Sequence, residues 1–126
     1  MPLPVAISTP SLPPANPTFN QAARLGDLVF VSGQLGIDPA TGALVPGGQV
    51  AEYRQALENL KYVLEASGSS LDRVAKTTIY MTDVRELAEL NKIYAEYFPH
   101  APAKTGVEVK ALAMGGRIEI EAVASV

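Results

Sequence analysis

The sequence predicts an α+β protein: a mixed β-sheet covered on one face by two amphipathic helices. Three observations carry this expectation. Apolar residues Val50, Tyr53, Ala56, Leu57, Leu60, Val63 and Leu64 recur at spacings of three and four between Gln49 and Ala66, the stripe of a helix with one buried face. A second stripe, Val84, Leu87, Leu90, Tyr94 and Phe98, runs to Pro99, which forbids continuation. The segments VAKTTIYM (74–81) and RIEIEAVASV (117–126) instead alternate with the period of a strand.

Taken in order, the chain opens on an arm. Residues 8–18, STPSLPPANPT, hold four prolines, each of which removes a donor and restricts its predecessor, so an irregular path over the surface is expected. Gly26-Asp27 separates a half-polar segment from the run Leu28 to Val31, which predicts a hairpin. Ser32-Gly33-Gln34 is expected to end that strand, and IDPATGALVPGG (37–48) carries the turn chemistry of a loop. Gly68 is the expected cap of the first helix, and Thr82 or Asp83 that of the second. Two strands remain, Lys104 to Lys110 and Arg117 to Val126, and the glycines of AMGG (113–116) make the turn between them. The expected order is β-β-α-β-α-β-β. Two helices can cover only one side of such a sheet, so the other side is expected to pack against further copies of the chain.

The 126 residues fit one domain. Net charge is −3, with Lys and Arg dispersed, so no footprint for a phosphate backbone exists and nucleic acid is not expected as a partner. There is no cysteine and a single histidine, which excludes disulfides, thiolate nucleophiles and Cys/His metal sites. The N-terminus lacks a basic region followed by an apolar one, and nowhere do about 18 uncharged apolar residues run together. A cytoplasmic protein without membrane association is expected.

Few residues offer chemistry. In RIEIEAVASV, Ile118, Ile120, Ala122 and Ala124 share one face while Glu119 and Glu121 share the other. A solvated strand face accounts for the two carboxylates as well as a site does. If the last two strands form a hairpin, Glu119 or Glu121 comes near Lys104 or Lys110, and an ordinary cross-strand ion pair explains that equally. Lys104, in PAKTGVEVK (102–110), sits among small residues; it is either a surface lysine or an anion anchor with room beside it for a carboxylate, helped by backbone N–H groups near Gly33 or Gly106. His100 has no local partner and reads as a helix-end histidine. No nucleophile triad, Walker loop or dinucleotide fingerprint is present, and Tyr94, Tyr97 and Phe98 follow core spacing.

The segments LGDLVFVSGQLGIDPATG (25–42), QALENLKYVLEASGSSLDRVAKTTIYMTD (55–83), LNKIYAEYFP (90–99), PAKTGVEV (102–109) and RIEIEAVA (117–124) together resemble the Rid family, the reactive intermediate deaminases also called YjgF or L-PSP proteins, over nearly the whole chain. The resemblance implies a chorismate-mutase-like fold and a barrel-like homotrimer with sites in the clefts between subunits. It also implies hydrolysis of reactive enamines and imines such as 2-aminoacrylate to 2-oxo acid and ammonia, without metal or cofactor. The partners it implies are small imino and oxo acids.

Carried over, the family's carboxylate-gripping arginine falls on Lys104 and its water-orienting glutamate on Glu119. The pocket-lining positions fall on Ser32 and Gly33, a substrate-proximal asparagine on Asn91, and a tyrosine position on Phe19. Two of these depart from the pattern. Lysine keeps the charge but not the planar fork that binds a carboxylate through two bonds, and phenylalanine lacks the hydroxyl. Three readings follow: an imine deaminase, weakened or altered in specificity, with Lys104 attracting the anion, Glu119 orienting water and the backbone at Gly33 and Gly106 shaping the pocket; a non-catalytic trimeric ligand-binding or regulatory protein; and an endoribonuclease-like activity.

Overall fold

The computed structural model describes residues 2–126. Six strands form one sheet: β1 (Val5–Ile7), β2 (Ala22–Leu25), β3 (Leu28–Leu35), β4 (Val74–Met81), β5 (Ala103–Glu108) and β6 (Ile118–Ser125). Two helices, α1 (Gln49–Ala66) and α2 (Leu87–Tyr97), complete it. The strand order is β1-β2-β3-β6-β4-β5, antiparallel throughout except for β4 and β5, which run parallel.

The alternation read in the last strand decides the architecture. Ile118, Ile120 and Ala124 are fully enclosed and Ala122 nearly so, facing the helices from the middle of the sheet, while Glu119 and Glu121 project to the reverse side. Against that floor α1 packs Tyr53, Ala56, Leu57, Leu60, Val63 and Leu64, all buried, and α2 adds Leu90, Ile93 and Tyr94, followed by Phe98. Helix α1 has the expected bounds and stops where Gly68 takes up a positive φ of 80°, the left-handed turn that glycine accepts without a Cβ clash. Asp83 accepts a hydrogen bond from the Arg85 amide and so caps the 3₁₀ turn that leads into α2, while α2 itself starts after Glu86 without a side-chain cap.

Four expectations need correction. Strand β5 is not the hairpin neighbour of β6: β4 lies between them, parallel to β5 and antiparallel to β6. The reason is α2, which is the crossover that parallel neighbours require and which carries the chain to the far edge of the sheet. Val84 and Leu87 are not buried but about half and one-third exposed (46% and 37%), because residues 84–86 form a 3₁₀ turn whose three-residue period breaks the phase of the helical stripe. Strand β3 does not end at Ser32-Gly33-Gln34; it runs on to Leu35 through a register shift between Val31 and Gln34, a β-bulge that re-aims the strand. The short β1 precedes the proline arm and pairs with β2, adding a strand to the expected order. The arm itself is irregular, as expected, and buries Leu12.

The helix-free side of the sheet presents Leu28, Phe30 and Val107, each about two-fifths exposed. No helix among the described residues is long and apolar enough to cross a membrane.

Gly36 marks the closest approach of backbone to helix. A Cβ there would lie 2.5 Å from Glu52 Cα and from its carbonyl oxygen, and neither atom can rotate aside. Gly36→Ala is therefore expected to destabilise the fold by about 1–3 kcal/mol through overpacking, read as a lower urea midpoint with an unchanged m-value.

Candidate active site

The residues singled out in the sequence fall into two groups. Lys104, Asn91 and Gly106 form the first. Lys104 lies opposite Thr77 on β4, a buried residue beneath α2, so the lysine points to the helix-covered side of the exposed edge strand. Its Nζ donates to Asn91 Oδ1 at 2.6 Å and sits 4.8 Å from the centroid of the Tyr94 ring. That ring is held in turn by the bond between its hydroxyl and Thr77 Oγ1 at 2.7 Å. Partial burial lowers the Lys104 pKa, since desolvation penalises the ammonium. No carboxylate pairs with it among the described residues. Gly106, two residues on, shares this side, and a Cβ there would meet Met81 Cε at 3.3 Å.

Glu119, Gly33, Ser32 and Phe19 form the second group, along one cavity of about 660 Å³. The bulge in β3 places Gly33 against the Glu119 side chain so closely that a Cβ at Gly33 would fall 2.6 Å from Glu119 Cδ. Glycine is thus what lets the carboxylate lie flat against the strand. Glu119 has no ion-pair partner among the described residues. Its pKa is raised, first by burial and then by the neighbouring Glu121. Ser32 Oγ is committed to the Asn20 carbonyl at 2.6 Å, and Phe19 stands half-exposed at the cavity rim.

The expected approach of Lys104 or Lys110 to Glu119 or Glu121 does not occur within one chain. Strand β4 separates β5 from β6, which sets the two groups roughly 10 Å apart across the sheet, and their side chains leave from opposite faces. His100 is the expected helix-end residue, with Nε2 2.9 Å from the Val74 carbonyl.

Two contributors were missed in the sequence. Tyr80 lies opposite Glu119 in register, and its hydroxyl donates to Glu121; that contact raises the tyrosine pKa and fixes the second carboxylate. The alternation of VAKTTIYM could have placed Tyr80 on the carboxylate side, had the pairing of β4 with β6 been known. Gln21 is buried and clamps the proline arm into the cavity wall: its Oε1 accepts from the Thr9 amide at 2.6 Å and its Nε2 donates to the Pro13 carbonyl at 3.0 Å. No local pattern announces such a long-range clamp.

An α+β sheet of this order, with carboxylate and amine groups on opposite faces, defines a class for which comparison gives a clear match. Residues 9–126 match the family described as Endoribonuclease L-PSP. The 2-iminobutanoate/2-iminopropanoate deaminase of Capra hircus is 43% identical over 119 residues, covering 94% of this chain and 87% of that protein. The Pyrococcus horikoshii protein called RutC family protein PH0854 is 44% identical with 94% of each chain covered. Among solved structures, RidA from the Antarctic bacterium Psychrobacter sp. PAMC 21119 superposes with a TM-score of 0.91 at 38% identity, covering 97% of this chain and 99% of that one. E. coli TdcF, solved with bound serine, superposes with a TM-score of 0.90 at 32% identity, with 97% and 98% covered. The chain belongs to the Rid/YjgF/L-PSP family.

The environment of Glu119 has a stability consequence. Its folded-state pKa lies above the ordinary value, so the folded state binds that proton more tightly than the unfolded state does. Stability is then lost as pH rises through the ordinary carboxylate value to the folded one, and stays lost above it. Glu119→Gln removes the charge without changing the shape. Calorimetry is expected to show the variant melting above wild type at pH 7.5, with the difference vanishing below about pH 4; a variant that melts lower at pH 7.5 would mean the charge is held by favourable contacts.

Proposed function

We propose that the protein hydrolyses 2-imino acids to 2-oxo acids and ammonia, and that the working site joins the Glu119 group of one copy to the Lys104 group of a neighbouring copy. The observation that carries this reading is the Glu119 carboxylate: unpaired, partly buried and seated on Gly33 at the wall of a cavity. It supports a base that positions water. The relatives named as iminobutanoate and iminopropanoate deaminases supply the reaction class.

The chemistry asks little of the protein. Water adds to the imine carbon, with Glu119 taking one of its protons and passing it to the nitrogen to give a carbinolamine; the hydroxyl proton then passes through Glu119 to the amine, and the carbon–nitrogen bond breaks as the carbonyl forms and ammonia leaves. An imine is already electrophilic, so holding water and substrate in register supplies most of what is required. Lys104 offers the charge that would hold the substrate carboxylate, already oriented by Asn91 and the Tyr94 ring. A single ammonium fixes the anion's position but not its rotation, whereas a guanidinium fork would fix both. Phe19 offers no hydroxyl to relay a proton, which also lowers the expected rate.

Lys104, an anchor without orientation, and Phe19, which lacks a hydroxyl, are the support for the binding-protein reading. RNA cleavage gains nothing from a chain of net charge −3 with dispersed cations.

The test is oxo-acid release from enzymatically generated imines by wild type, Lys104→Arg, Lys104→Ala and Glu119→Gln. Lys104→Arg is expected to match or exceed wild type, Lys104→Ala to lose about 10- to 100-fold in kcat/KM, and Glu119→Gln to lose about 10²- to 10⁴-fold in kcat. Equal rates for all four proteins would remove both residues from the mechanism. Tight binding of 2-oxo acids with no turnover of any imine would establish the binding protein instead.

A further inference from the structure

Glu119 does not stand alone on the helix-free face of the sheet. Glu121 is the next residue of β6 on that face, about 6–7 Å further along the strand. Tyr80 on β4 stands directly opposite Glu119, yet its hydroxyl donates to Glu121, one diagonal step away. Diagonal neighbours on one face of an antiparallel pair are within reach of an aromatic side chain. The bond holds the Glu121 carboxylate toward β4 on the face it shares with Glu119, where a free side chain would swing into water.

Neither partner belongs to the cavity wall. Glu121 borders a separate hollow with Asn20 and Phe30, so any effect it has on the reaction passes through Glu119. The other groups around Glu119 carry little charge. Strand β3 gives it Gly33. The proline arm and the loop before β6 bring Leu12, Asn16, Phe19 and Met114 to the cavity, none of them ionisable. Arg117 has the same parity on the chain, but its Nε lies 3.9 Å from Glu52 Oε2 on α1. Burial first, and Glu121 second, hold the Glu119 carboxyl above its ordinary range. The bond to Glu121 is the first cause that raises the Tyr80 hydroxyl, which therefore stays a donor at neutral pH.

We propose that Glu121 and Tyr80 are positioning residues for the reaction: Tyr80 pins the Glu121 carboxylate beside Glu119, and the pinned negative charge makes Glu119 the stronger base. The inference rests on the imine-hydrolase reading for its reaction, but the three groups lie within one chain and their register does not depend on a second copy. Cover by another copy excludes water and strengthens the action of one charge on another. Lys104 of that copy acts in the opposite sense, and the substrate carboxylate it binds offsets its charge. A carboxylate that holds a proton more tightly takes it from water more readily and serves closer to neutral pH.

The test reads Glu119 and the reaction separately on the full-length protein. Carbon-13 NMR of the glutamate carboxyls follows the titration of Glu119 without turnover. In Glu121→Gln, which keeps the shape and removes the charge, Glu119 is expected to titrate at lower pH than in wild type. Tyr80→Phe, which frees Glu121, is expected to move it the same way by less. In imine hydrolysis by Glu121→Gln, the ratio of kcat on the acid limb to kcat on the plateau is expected to rise about threefold or more, because the limb follows ionisation of the base. The plateau itself is expected to fall about two- to fivefold as the base weakens. A merely structural role would lower the plateau without moving the limb. A Glu119 titration that neither variant moves overturns the proposal, and so does a moved titration with an unchanged plateau. A moved titration in a protein whose wild type hydrolyses no imine would sink the deaminase reading while supporting the coupling of the two carboxylates.

Discussion

Strand β6 lies between β3 and β4, antiparallel to both, and its two faces do different work. Ile118, Ile120, Ala122 and Ala124 form the floor on which α1 and α2 rest; burying that row against the helices provides the main apolar contact of the fold. Because side chains alternate along a strand, the same burial drives Glu119 and Glu121 to the opposite face. A one-residue slip of β6 would put two carboxylates into the core and four apolar side chains out of it, so the register that stabilises the sheet is also what sets the carboxylates in place. Gly33 completes the arrangement from the neighbouring strand by leaving space for the Glu119 side chain.

Much of this was legible in the sequence because it is local. The bounds of α1, the span of β4, the inward row of β6 and the cap at Gly68 all follow from periodicity or from a single residue's backbone preference. What was not legible depends on pairing at long range. The sequence neighbours β5 and β6 read as a hairpin, yet the parallel β4–α2–β5 crossover sends β5 to the edge and admits β4 between them. Nothing in PAKTGVEVK or RIEIEAVASV encodes that separation. The same holds for the site. Its chemical groups, Glu119, Gly33, Lys104 and Asn91, could be named from the sequence and the family resemblance. Their division into two faces, the Tyr80 contact to Glu121 and the Gln21 clamp on the arm are properties of the assembled sheet.

That division gives the proposed chemistry its shape. Lys104 rests on Asn91 and Tyr94 at the exposed edge, whereas Glu119 faces a cavity on the other side of the sheet. Neither group alone can both hold an anion and activate water. The exposed apolar side chains Leu28 and Phe30 on β3 and Val107 on β5 lie on a sheet face that a second copy could cover, which would bring a lysine edge to a glutamate cavity.

The central claim, that a working site draws Glu119 from one copy and Lys104 from another, is tested most directly by subunit complementation. Glu119→Gln and Lys104→Ala chains, each strongly impaired alone, would be co-expressed, co-purified through distinct tags and assayed for imine hydrolysis. Random assembly of a site shared between copies restores one intact pairing in about a quarter of the interfaces, so roughly that fraction of wild-type activity is predicted. A mixed assembly no more active than its parents would place both groups in the same chain's site and contradict the account.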